Sequence, residues 1–155
     1  MNDYNFALLF HLTGVLLFVA GIVLAGVAFE IARRQQKPAE IVLLLGLTRL
    51  GVLLVVIGSL LLGSFGLWLV HLGAFGYRAG WVDASIALYL VALILGALGG
   101  QRPKQARCLA GELHAKNAPV TEELRGLLDH RLSRTANYGA LLAVLAILVL
   151  MVFKP

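Results

Sequence analysis

The sequence predicts an all-α fold: a four-helix transmembrane bundle with a cytoplasmic amphipathic segment between its third and fourth helices. Three observations predict it. Of the 155 residues, 60% are hydrophobic and 14% charged, with a mean hydropathy of +0.89, whereas a soluble domain is about half apolar and about a quarter charged. Four stretches are apolar for the ~20 residues needed to cross ~30 Å of hydrocarbon. Lysine and arginine concentrate in two of the three connections between those stretches, as the positive-inside rule requires.

The first span is placed at about 6–32, with Asp3 or Asn5 near its start, Glu30 near its inner end and Arg33-Arg34 just beyond. The opening residues lack the positive n-region of a cleaved signal peptide, so this run is expected to remain as a membrane helix. Pro38 marks a break in the connection that follows. The second span is placed at about 50–72. The mostly apolar segment 41–48 before it points to an earlier start at the membrane surface, with Arg49 snorkelling to the headgroups.

The third span, about 81–99, is entered through a Gly-rich turn from Gly73 to Gly80, short enough to make helices two and three antiparallel neighbours. The polar segment 101–134 carries seven cations and two candidate short helices. Pro103 is expected in the first turn of one; Thr121 is expected to cap the other, which opens with Glu122 and Glu123. Leu124, Leu127, Leu128 and Leu132 then share an amphipathic face that docks on the bundle or lies on the membrane. The fourth span is about 135–153.

Arg33, Arg34 and Lys37 flank the first connection. Only Arg78 lies in the second, and Arg102, Lys104, Arg107, Lys116, Arg125, Arg131 and Arg134 lie in the third. The first and third are therefore expected in the cytoplasm, with both termini on the outer face of a bacterial inner membrane. Tyr4, Trp68, Tyr77 and Trp81 fall near the opposite ends, where an aromatic belt belongs. The formal charge of +5 is thus topological signal. No basic and aromatic stripe of a nucleic-acid surface accompanies it, and lipid is the expected partner.

Cys108 is the only cysteine, which excludes an intrachain disulfide and a cysteine metal cage. No phosphate-cradling glycine loop, GxSxG elbow or HExxH motif is present, so any enzymatic activity would lean on a bound cofactor. Gly14, Gly21 and Ala25 in helix one, Gly51, Gly58 and Gly63 in helix two, and Gly96, Gly99 and Gly100 in helix three offer small surfaces for close helix contact, within one chain or in a homodimer.

An ionisable residue inside a span is a functional candidate, which places His11 first. It shares a helix face with Gly14, Phe18 and Gly21, where either a flat ligand or a neighbouring helix can approach. One reading makes His11 an axial ligand to haem b, with His71 as the second iron ligand in the same leaflet. The other makes His11 a hydrogen-bonded link between helices and His71 an interfacial anchor near Trp68. Copper is the rival metal, with Met1 and Met151 as candidates to complete a site. His114 and His130 fall on the cytoplasmic side. Glu30 and Arg49 are positioned to pair, and Asp83 either meets the headgroups or orients a histidine.

The run His11-Leu12-Thr13-Gly14, continuing to Phe18 and Gly21, resembles the first helix of copper-resistance D-type membrane proteins and, more loosely, of the membrane-embedded protoporphyrinogen oxidase. In the latter the matching histidine is linked to haem, which implies the same role for His11. Where those proteins tend to carry tryptophan, this chain has Phe18, which keeps a ring but lacks the indole N–H donor. Over nearly its whole length the chain is similar to a family of predicted bacterial four-helix integral membrane proteins of unknown function, through Gly66-Leu67-Trp68, Trp81 and the closing Met151-Val152-Phe153-Lys154-Pro155. Two functions follow as expectations: a haem b protein serving redox or haem-related chemistry, or a cofactor-free transporter subunit or membrane-complex assembly module.

Overall fold

The structure is a computed structural model that describes residues 2–73 and 80–153, all-helical apart from short connections. The turn expected between Gly73 and Gly80, with Tyr77 and Arg78, lies largely outside the described residues, as do Met1, Lys154 and Pro155. Five helices follow one another: α1 (Asp3–Arg34), α2 (Pro38–Leu72), α3 (Gly80–Ala115), α4 (Glu122–Leu128) and α5 (Arg131–Phe153). Four stretches, α1, α2, α3 and α5 with the preceding α4, are long and apolar enough to cross a membrane.

The helices exceed the spans read from sequence because three of them run past the bilayer. At ~1.5 Å per residue, 32 residues of α1 and 35 of α2 reach about 50 Å against a ~30 Å hydrocarbon core. The surplus gathers at one end of the bundle, where Phe29 and Ala32 of α1 and Ile41 and Leu45 of α2 meet Ala106 and Ala110 of α3 and Leu124 and Leu128 of α4. This small core makes a cap. It explains why segment 41–48 is apolar: Ile41 and Leu45 are buried under α4.

Pro103 does not open a short helix; it sits inside α3, which continues to Ala115. Proline removes one helix hydrogen bond, but Ala106 and Ala110 beyond it are fully buried in the cap, and that burial carries the helix onward. Asn117, in the left-handed region at φ 48, then turns the chain, with the Ala118 N–H reaching back to the Leu113 carbonyl at 2.9 Å. Thr121 caps α4 as expected, its hydroxyl accepting from the Leu124 N–H at 3.3 Å. Leu124 and Leu128 are fully buried and Leu127 packs beside them, whereas Leu132 is 69% exposed and leaves that face.

Polar contacts lock the cap. The Arg125 guanidinium donates to the Arg33 carbonyl (2.7 Å), to the Gln36 side chain (2.9 Å) and to the Gln35 carbonyl, satisfying the end of α1. Arg33 bridges Asp129 (2.6 Å) and Glu30 (2.8 Å). The expected Glu30–Arg49 pair does not form. Glu30 has Arg33 and Arg34 within reach on its own helix at i+3 and i+4, while Arg49 is exposed and has no acidic partner among the described residues.

Within the spans, α1 and α2 pack tightly. Ala7, Gly14, Gly21 and Ala28 recur every seven residues along the buried face of α1, opposite Gly51 and Gly58 of α2. A Cβ on Gly14 would lie 2.5 Å from the Leu62 nitrogen, and one on Gly58 2.5 Å from the Phe18 nitrogen, so the two backbones touch. The second tight pair is α3–α5, where Gly99 meets Asn137 and the Ser133 carbonyl. Gly139 faces Leu95, which sets the antiparallel register. Between the pairs, Gly63 faces Tyr89. Gly96 and Gly100 have nothing within 4 Å of a would-be Cβ and take no part in close contact.

Candidate functional site

His11 is held where α1 crosses the Leu62–Gly66 turn of α2. A Cβ on Gly66 would stand 3.1 Å from the imidazole Cε1 and Nδ1, so the missing side chain makes the berth for the ring. Nδ1 lies 2.9 Å from the Leu62 carbonyl. A carbonyl only accepts, so Nδ1 is the donor, and in the neutral imidazole Nε2 is the nitrogen that carries the lone pair. His11 is 7% exposed, and what remains open borders a cleft of about 530 Å³ enclosed by α1, α2, α3 and α5.

The cleft exists because the bundle is two tight pairs rather than one even ring. α1 lies on α2 and α5 on α3, α2 bridges to α3, and Phe18 of α1 joins a small core with Ala92 of α3 and Ala143 and Val144 of α5. Its walls are mostly apolar, with Tyr4, Phe18, Trp81 and Tyr89 as their aromatic side chains. Tyr89 commits its hydroxyl proton to the Ser59 carbonyl (2.9 Å) and Ser85 its own to the Trp81 carbonyl (2.7 Å). Among the lining residues, His11 alone brings a nitrogen lone pair. An apolar cleft of this size with a few polar side chains, His11 and Tyr4 among them, suits a lipophilic ligand.

The other candidates divide. Phe18, 5% exposed, lines the cleft with its ring 6.5 Å from that of Tyr89. Gly14 and Gly21 do not offer a platform for a flat ligand, because the α2 backbone already occupies that face. His71 is exposed near the end of α2 and is not among the lining residues, so the two histidines are not brought to one cleft. Met151 does line it. Asp83 is exposed beside the start of α3, and His114 and His130 belong to the cap region. Among the described residues, no three His, Cys, Asp or Glu side chains converge to hold a bare metal ion.

Two residues of the site escaped notice as site residues in the sequence. Gly66 is recognisable only as the fourth residue after Leu62, once α1 is known to cross there. Tyr89 reads as one more amphipathic aromatic until its hydroxyl is placed against Ser59.

No curated protein and no solved structure matches the chain. The comparisons do not support the resemblance of the His11 to Gly21 motif to copper-resistance D-type proteins or to the membrane-embedded oxidase. Residues 7–155 match the family described as "Predicted integral membrane protein (DUF2269)". With four membrane-length apolar helices and that match over nearly its full length, the chain belongs to the DUF2269 family of integral membrane proteins.

Proposed function

We propose that the protein is a membrane-embedded binding module that takes a planar lipophilic cofactor, haem b, from the lipid phase into the α1–α2–α3–α5 cleft, with His11 Nε2 as the iron ligand. One observation carries this reading: the Leu62 carbonyl fixes the imidazole in the Nδ1–H form, leaving a lone pair on a residue that lines an apolar cleft. A backbone carbonyl on the far nitrogen is the usual support for a ligating histidine. Phe18, Trp81 and Tyr89 offer aromatic walls to the ring edges.

The donor set fits a haem held by this chain through one histidine. Bound there, haem supplies one-electron redox chemistry. The chain's own part is to hold the imidazole, to exclude water with its apolar walls and to set the depth of the ring. The cap end, which carries most of the cations, faces the cytoplasm of a bacterial cell, so the cleft opens in the outer half of the membrane.

The test is the oxidised and reduced absorbance spectrum of detergent-purified protein after haem-replete expression. A Soret band is expected in the wild type and in His71→Ala, and its loss in His11→Ala. A wild type without the band overturns the haem reading and leaves the cofactor-free transporter-subunit or assembly role.

A further inference from the structure

The α3–α5 seam ends, on its cap side, in two arginines that no acid neutralises. Gly99 and Leu95 of α3 lie against Ser133, Asn137 and Gly139 of α5 in antiparallel register. Arg102 stands three residues beyond Gly99, and Arg134 three residues before Asn137. In a helix that step is just under one turn, so both side chains leave their helices close to the seam and at nearly one depth. That depth is the edge of the hydrocarbon: the apolar run of α3 stops at Gly100 and that of α5 begins after Arg134.

Neither guanidinium is matched within the chain. The Arg134 Nε is buried and has no hydrogen-bond partner, and Arg102 reaches only the Gln105 side chain at 3.5 Å. The ion pairs among the described residues involve Glu30, Arg33, Arg34, Lys37, Glu40 and Asp129, and none includes Arg102, Lys104 or Arg134. Arg102 and Lys104 also form one end of a groove between α3 and α4, and Glu112 and Glu123 lie farther along it, away from the seam. The positive end of the groove is thus the end nearest the bilayer.

A buried guanidinium nitrogen without an acceptor is costly, and the exposed Arg102 at nearly the same depth adds a second charge that no acid balances. A phosphodiester monoanion relieves both, since its oxygens match the fork of an arginine and its charge offsets the pair. We propose that Arg102 and Arg134 bind the headgroup phosphate of an anionic phospholipid at the α3–α5 seam, a site separate from the His11 cleft. The bilayer is the source of the anion because the pair stands at headgroup depth, where phosphodiesters are concentrated and basic pockets between helices capture them.

The full chain is reconstituted into phosphatidylcholine vesicles and into equimolar phosphatidylcholine–phosphatidylglycerol vesicles. Its thermal midpoint is read in each, and retained phosphatidylglycerol is counted by native mass spectrometry. Phosphatidylglycerol is expected to raise the wild-type midpoint and to remain bound, and Arg102→Gln/Arg134→Gln to lose both effects, with lipid affinity down about tenfold or more. Arg107→Gln/Lys116→Gln, which removes two cap charges away from the seam, is expected to keep both. Equal loss in that control, or an equal midpoint gain from inorganic phosphate in phosphatidylcholine vesicles, overturns the headgroup site. If the double variant fails to fold, Arg102→Lys/Arg134→Lys replaces it: charge without the fork must weaken lipid retention, and undiminished retention overturns the proposal.

Discussion

Tyr89 of α3 donates its hydroxyl proton to the carbonyl of Ser59 on α2 at 2.9 Å, and this bond joins the two tight helix pairs of the bundle. Gly63, one turn along α2, brings a would-be Cβ to 3.2 Å from the same oxygen, so the ring stands directly against the α2 backbone. Tyr89→Phe keeps the ring and removes only the bond. The expected loss is about 0.5–1.5 kcal/mol, nearer the lower end inside a membrane, read as a lower unfolding midpoint in detergent. An unchanged midpoint would mean that apolar contact alone holds the pairs together.

The glycines divide into two groups with opposite expected responses. Gly58→Ala places a methyl group 2.5 Å from the Phe18 nitrogen, where backbone cannot yield, and forces α1 from α2 at a cost of about 1–3 kcal/mol. Gly96→Ala and Gly100→Ala meet open space and should leave stability unchanged or raise it by less than ~1 kcal/mol. Thermal unfolding of the three variants side by side distinguishes a packing seam from a merely flexible composition.

Arg125 clamps the end of α1 through a fork that lysine cannot reproduce. Arg125→Lys should loosen α4 by about 1.5–3 kcal/mol while leaving the spans intact. Limited proteolysis should then cut the 116–121 connection faster, with total helix content by circular dichroism little altered. Equal cleavage of both proteins would assign the docking of α4 to Leu124 and Leu128 alone.

Cys108 is exposed on the cap and is the sole thiol, which makes it a reporter of sidedness. With the cap in the cytoplasm, a membrane-impermeant maleimide should leave it unlabelled in intact bacterial cells and label it once the membrane is opened. Labelling of intact cells would reverse the proposed orientation.

The spans were legible because an apolar run long enough for a bilayer has few other uses, and Thr121 was legible because a hydroxyl before two glutamates has a defined task. The cap was not. Its core depends on Ile41, Leu45, Ala106 and Ala110 meeting Leu124 and Leu128 across three helices, and no local pattern announces that distant meeting. Pro103 misled for the same reason: its local preference for a first turn gave way to the burial of the residues after it. At the site, His11 was singled out by its cost in a membrane. Which way Gly14 and Gly21 would be used, toward ligand or toward helix, could be decided only by the position of α2.

The glycine seam of α1 and α2 lies wholly within the first 73 residues, across a connection of only three. As the chain leaves the ribosome, every backbone that this hairpin must touch emerges before α3 does. The α3 partner surface is different, since Gly99 waits for Asn137 and Ala106 for Leu124, both synthesised later. The order of synthesis therefore permits assembly in two instalments, an early self-sufficient hairpin and a late one that is completed only when the last span arrives. A ribosome stalled between them would leave half a bundle seated in the membrane and the cleft without two of its walls.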